Sequence, residues 1–228
     1  MPDGESLATP RLRQAAIITI AGAVMAWGVP FAEFRILPAL FVAGSAAQTA
    51  RNLSAHHGQF LLAIFAYYLN FFGDIVVAWG LYLLLRPVNA SISMFVAWVR
   101  VAFAALGLAA LQNLVTANQL VTRASDLAAL GQAQLDAQVF VAVVAFRSQF
   151  AFSLILFGVH LLLLGWLFWR STHLPRWLGA ILAVDGLGWI LLIIGRYVGV
   201  NLEFLFVTSF GELVLLVWLI GWGTRLRE

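Results

Sequence analysis

The chain has no cysteine and no lysine; all 13 of its basic residues are arginine. Without cysteine there is no disulfide framework, no thiolate metal site and no cysteine nucleophile. Charge of either sign is scarce. Only 10% of the 228 residues are charged, 63% are hydrophobic, and the mean hydropathy is +0.95. A soluble domain is roughly 45–50% apolar and about 25% charged, so a soluble globular enzyme is excluded. Disorder is excluded too, because it requires low hydrophobicity and high charge. The net charge of +3 is small, and the arginines form no dense run. A nucleic-acid partner is therefore not expected. The HExxH, GxSxG, P-loop and Rossmann glycine patterns are all missing. A single histidine inside an apolar segment is too few for a bis-histidine haem.

What is present is a series of long apolar runs. A membrane-crossing helix takes about 20 residues, and six such runs occur, at 15–32, 60–85, 91–113, 150–169, 178–195 and 204–222. They are continuous rather than alternating, which favours helices over barrel strands. The expected fold is all-α: one polytopic transmembrane domain over 1–228 with a short polar tail at 1–14. A cleavable signal peptide is the alternative for the first run. An uncleaved span fits better, since Glu33 and Arg35 close the run without a small-residue cleavage site before them.

The connections 86–89, 170–176 and 199–201 are very short, whereas 38–59 and 116–146 are longer. In the first long connection, Ser45 to Gln48 reads as the capped start of a short helix, with Ser45 capping and Gln48 reaching back. In the second, the apolar stretch 139–146 is either an interfacial helix or an outward extension of the fourth span. Six crossings place both tails on one side. That side holds Arg11, Arg13, Arg86, Arg170, Arg176, Arg225 and Arg227; the other holds Arg35, Arg51, Arg123, Arg147 and Arg196. The positive-inside rule then expects both termini in the cytoplasm. Trp169, Trp177 and Trp222 fall near the same face, as an aromatic belt does.

The residues able to carry chemistry are the polar ones inside the spans. Counted at about 1.5 Å per helical residue, Asp74 lies roughly 18 Å from Arg86 and His160 roughly 15 Å from Arg170. By the same count Asp185 lies roughly 14 Å from Arg176, Glu212 roughly 20 Å from Arg225, and Arg100 about 14 Å from Ser91. Asp74, Arg100, His160, Asp185 and Glu212 thus fall in one slab near the middle of a core about 30 Å thick. Glu33, Asn113, Arg147, Arg196 and Glu203 form a second polar layer nearer the outside. A central charge costs about 2.5–3.5 kcal/mol on the insertion scale, and each Leu, Ile, Phe or Val returns roughly 0.3–0.6. Insertion survives, but these groups must face inward, pair or line water.

Three acids against one arginine leave the slab at minus two when His160 is neutral, so protons or a cation are expected to compensate. Asp74 with Arg100 is compatible with a plain buried ion pair. His160 alone reads first as a hydrogen-bonded core histidine; a zinc site would need it with two carboxylates, such as Asp74 and Glu212. Asp185 and Glu212 have no second arginine and carry the functional reading. His56 and His57 read as solvated loop residues, and Gly195-x-x-x-Gly199 is a weak small-residue motif at a span end. A faint repeat is visible: Gly80 precedes Arg100 by 20 residues, as Gly165 precedes Asp185.

Several stretches resemble a known family: Ala32-Glu33-Phe34; Gly73-Asp74-Ile75 with Leu81-Tyr82-Leu83-Leu84-Leu85-Arg86-Pro87-Val88; Phe157-Gly158-Val159-His160 with Leu164-Gly165; Leu174-Pro175-Arg176-Trp177-Leu178-Gly179; and Gly211-Glu212-Leu213 with Trp218-Leu219. In order and spacing they are similar to the bacterial multi-pass family catalogued as domain of unknown function 4386. The likeness runs from Ala15 to Trp222, and an acid at the place of Asp185 is not part of the family pattern. The resemblance implies a multi-pass protein of a bacterial inner membrane and brings no activity, cofactor or catalytic residue. The functional expectation comes from the slab: a midplane polar site binding a proton, cation or small polar solute. Two other readings stay open. One is an intramembrane acid–base or metal-dependent enzyme on a lipidic substrate. The other is a non-catalytic subunit or assembly factor of a larger membrane complex. Expected partners are the lipid bilayer and other membrane proteins or further copies of this chain.

Overall fold

The computed structural model describes residues 12–223, and among them every regular element is helical. Six helices are long and apolar enough to span a membrane. They are α1 (Leu12–Leu40), α3 (His57–Leu85), α4 (Ala90–Thr122), α5 (Gln132–Arg170), α6 (Arg176–Val198) and the last span, Glu203–Gly221. A short helix α2 (Ala46–Ala55) lies between α1 and α3. The last span opens with a 3₁₀ segment at Glu203–Thr208 and continues as α7 (Gly211–Gly221). Arg11, Arg225 and Arg227, used as topology markers, lie outside the described residues, as does most of the expected tail.

The spans form a ring in which α1 packs on α3, α3 on α4, α4 on α5, α5 on α6, α6 on α7 and α7 back on α1. The α5–α6 and α1–α3 contacts are close because glycines face each other. A Cβ on Gly165 would stand 2.5 Å from the Gly179 carbonyl oxygen, and one on Gly22 would stand 2.7 Å from that of Gly73. Any side chain there would force the backbones apart. The ring is thinnest at its first and last members: 28% of the apolar window of α1 and 22% of that of the last span is buried, against 39–50% in the other four.

The interior has two apolar cores stacked along the membrane normal. One contains Phe60, Tyr67, Phe71, Phe103, Leu114 and Phe146. The other contains Val77, Leu81, Val96, Leu161, Phe168 and Leu178. Asp74 falls between Phe71 and Val77, Arg100 between Val96 and Phe103, and His160 just before Leu161. The polar slab is therefore the seam between the cores.

Several expectations are corrected. At 33 and 39 residues, α4 and α5 outrun the spans drawn at 91–113 and 150–169. At 1.5 Å per residue they reach about 50 and 58 Å, well past a core of about 30 Å. Beyond the apolar layer a helix needs only one apolar face, so the polar stretch after Asn113 did not end α4. The 139–146 stretch extends the fourth span, and the true turn is 123–131. The first span continues past Glu33 and Arg35 to Leu40 through a π-bulge at Ala32–Ile36.

Ser45 does precede α2, but its side chain makes no cap bond. The entry is instead tied by Thr49, whose hydroxyl accepts the Val42 N–H at 3.0 Å, and by Asn52, whose amide donates to the Leu40 carbonyl at 3.2 Å. His57 is half-buried and bonds Asn118 at 2.9 Å rather than being simply solvated. Gly195 and Gly199 end α6, Gly199 adopting φ 76° as its left-handed cap, and join no two spans. The repeat does not extend to packing: Gly80 faces Thr19 on α1, whereas Gly165 faces its own hairpin partner α6.

Candidate functional site

Four of the five slab residues meet. Asp74 on α3, Arg100 on α4, His160 on α5 and Glu212 in the first turn of α7 form one hydrogen-bonded cluster. Arg100 is at its centre and only 3% exposed. Its Nε and Nη2 donate to Asp74 Oδ1 at 3.0 and 2.6 Å. Its Nη1 donates to Glu212 Oε1, and its Nη2 reaches Glu212 Oε2 at 3.3 Å. The guanidinium also lies over the Phe157 ring, 5.5 Å from the centroid. The planar five-donor fork of arginine suits this arrangement of several acceptors around one cation, and a lysine would not.

His160 is fully buried, with Nε2 3.2 Å from Arg100 Nη1 and Nδ1 3.0 Å from the Val96 carbonyl oxygen. Arginine has only donors, so Nε2 accepts and Nδ1–H donates to the carbonyl. The ring is thus held as the neutral tautomer. Among the described residues no group of three His, Asp or Glu is disposed to hold a metal ion. The point where His160, Asp74 and Glu212 converge is filled by the guanidinium, which leaves no shared ligand position for zinc.

Asp185 lies beside the cluster, next to the turn that carries Glu212, but is hydrogen-bonded to none of its four members. It is 1% exposed on α6 and packs against the first turn of α7, where a Cβ on Gly211 would stand 2.6 Å from its Oδ2. Neither carboxylate oxygen has a hydrogen-bond partner among the described residues.

A cleft of about 950 Å³ opens beside the cluster, between α1, α5, α6 and the last span. Arg100 and Glu212 line its inner part. Asp74 and His160 are closed off behind them, and the Glu212 side chain is 31% exposed. The walls are largely apolar, with Trp27, Phe150, Leu154, Trp189 and Phe210 among them.

The outer polar layer does not form one cluster. Glu33 sits in the π-bulge and accepts a hydrogen bond from Tyr67 on α3. Arg147 and Arg196 are exposed and line the cleft with Glu33. Asn113 lies elsewhere, bonded to Gln149 at 2.8 Å and to the Ala110 carbonyl at 2.9 Å. Glu203 is exposed at the start of the 3₁₀ segment, its N–H bonded to Asn201.

Residues 17–223 match the family model of the domain of unknown function DUF4386. The chain belongs to the DUF4386 family. An archaeal relative from Archaeoglobus fulgidus, described as an uncharacterized protein, is 34% identical over 155 residues. The match covers 68% of this chain and 80% of the relative. The likeness thus reaches archaea, beyond the bacterial setting that the sequence motifs suggested. No solved structure matches the chain.

In this DUF4386 protein, sequence reasoning missed three contributors. Asn70 donates to Asp74 Oδ2 at 3.1 Å, one helical turn away on the same face. That i, i+4 spacing was a readable signal. Tyr67 as the partner of Glu33, and Phe157 beneath Arg100, had no local signal, because both contacts join separate helices.

Proposed function

We propose that this DUF4386 protein binds a proton, a cation or a small polar solute at the Asp74–Arg100–His160–Glu212 cluster, in the manner of a transporter. One observation carries the reading. Two carboxylates, Asp74 and Glu212, share the single guanidinium of Arg100, and of these groups Glu212 is the one with substantial exposure, at the edge of the cleft. Counted with both carboxylates ionised and His160 neutral, the cluster carries one negative charge in excess. A low-dielectric seam disfavours an uncompensated charge. A proton or a cationic or donor group arriving through the cleft relieves it at Glu212. Asp185, buried behind the same helix start, is a second acceptor within the bundle.

The test is reconstitution of the whole chain in liposomes containing a pH-sensitive dye, with an imposed pH gradient. A thermal-shift panel of small ammonium and guanidinium ions is run alongside. Proton entry or a cation-induced rise in melting temperature is expected for the natural chain, and its loss for Glu212→Gln. If both responses are absent, or equal in the two proteins, the reading fails.

The apolar walls of the cleft also fit a lipidic substrate, on which Glu212 would act as the acid–base group. That second reading requires turnover of an added lipid that Glu212→Gln abolishes. The orientation we propose places the face bearing Arg86 and Arg170 in the cytoplasm, supported by the arginine excess in its short loops. The inner membrane is the proposed location.

A further inference from the structure

We propose that the outer end of the cleft holds the headgroup of an anionic membrane lipid, with a hydrocarbon chain of that lipid lying along the apolar walls. Arg147 on α5 and Arg196 on α6 both line this end and both are exposed. The ion pairs among the described residues use neither of them. Arg147 rests on the Phe41 ring, 5.2 Å from its centroid. Glu33 in the same mouth accepts the Tyr67 hydroxyl and, counted as a carboxylate, offsets one of the two arginines, so the mouth keeps a net charge of +1. The next residue on each helix adds a hydroxyl: Ser148 Oγ and Tyr197 Oη lie 3.4 Å apart across the α5–α6 contact and also line the cleft. Two guanidinium forks and two hydroxyls on one rim form a donor-rich concavity suited to a phosphate.

The depth agrees. Arg147 is 23 residues from Arg170 and Arg196 is 20 from Arg176, which at 1.5 Å per residue is about 34 and 30 Å. A hydrocarbon core is about 30 Å thick, so both guanidiniums stand at the opposite headgroup level. Below them the cleft runs along α1 from Glu33 to Thr19, roughly 21 Å of helix, more than one leaflet's half of the core. Its open side lies at the two least buried spans, where Trp27, Phe34, Phe206 and Phe210 are exposed. A free soluble anion would leave these walls uncovered; an acyl chain entering from the bilayer covers them. The chain of that lipid lies in the same cleft that leads to Glu212, so lipid and solute are expected to compete for the space, whereas the headgroup contacts at Arg147 and Arg196 do not depend on what binds at Glu212.

The test uses the purified full chain in neutral detergent, with native mass spectrometry counting retained lipid. Phosphatidylglycerol and phosphatidylcholine of identical chains are the probes. The natural chain should retain one phosphatidylglycerol in preference to phosphatidylcholine. The variant Arg147→Gln/Arg196→Gln should lose that preference by about tenfold or more in affinity, with a melting temperature in lipid-free detergent lowered by no more than about 4 °C, the loss of one exposed cation–π contact. Ala151→Trp, which fills the cleft and spares the arginines, should weaken retention of both lipids. Glu212→Gln should leave the preference intact, so a failure here is separable from a failure of the solute reading. Equal retention of the two lipids, or unchanged preference in the arginine variant, overturns the proposal. So does displacement of the lipid by inorganic phosphate at matching concentration, which would mark a soluble-anion site. Cross-linking of two copies across this face with no lipid retained overturns it as well.

Discussion

Replacing Arg100 by methionine removes the hub of the buried cluster while keeping a long apolar side chain. Asp74 and Glu212 lose the cation that both contact, and His160 Nε2 loses its donor. Removing one partner of a buried ion pair costs about 3–5 kcal/mol, because the remaining charge stays buried without compensation. For a chain of 150–250 residues about 1 kcal/mol shifts the melting temperature by roughly 2–4 °C. The expected fall for Arg100→Met is therefore on the order of 6–20 °C. Asp74→Asn should cost less, about 1–3 kcal/mol, since Arg100 keeps Glu212 and the excess negative charge disappears. The double variant should be less damaged than the two single losses added together, by about 0.5–3 kcal/mol, because the neutral amide needs no cation. Reversible unfolding in mild detergent by denaturant titration, with thermal melts beside it, reads all three proteins. A loss below about 0.5 kcal/mol for Arg100→Met, or strict additivity in the double variant, refutes the cluster as a coupled unit.

Tyr67→Phe should cost about 1–3 kcal/mol by leaving Glu33 in the π-bulge without its donor, and a thermal melt within experimental error of the natural chain would refute that. Gly165→Leu should destabilise by about 1–3 kcal/mol or more, since its Cβ would already meet the Gly179 backbone, whereas Gly58→Leu, which faces open space, should be near neutral by the same melt. The chain's lack of cysteine makes topology directly readable. In intact cells an impermeant maleimide should label Ser125→Cys, and should label Thr172→Cys only after permeabilisation; the opposite pattern reverses the proposed orientation.

The sequence by itself determined the solvent class and the crossings. Apolar runs near twenty residues have one stable solution in a bilayer, because helices satisfy every backbone group internally. The midplane level of Asp74, Arg100, His160 and Glu212 was also legible, because rise per residue converts position into depth. Azimuth was not legible. A span that is apolar all round carries little information about which face turns inward, so Asp185 shared the level of the cluster but not its hydrogen bonds. The ends of α4 and α5 were hidden for a related reason: outside the hydrocarbon, one apolar face is enough to continue a helix. Only the tertiary structure decided that Arg100 is shared between two carboxylates, that Glu212 faces a cleft while Asp74 does not, and that Arg147 and Arg196 stand on one rim. These are relations between separate helices, fixed by glycine-tight packing at α1–α3 and α5–α6 and by looser contact where the last span closes the ring, and no local pattern of residues records them.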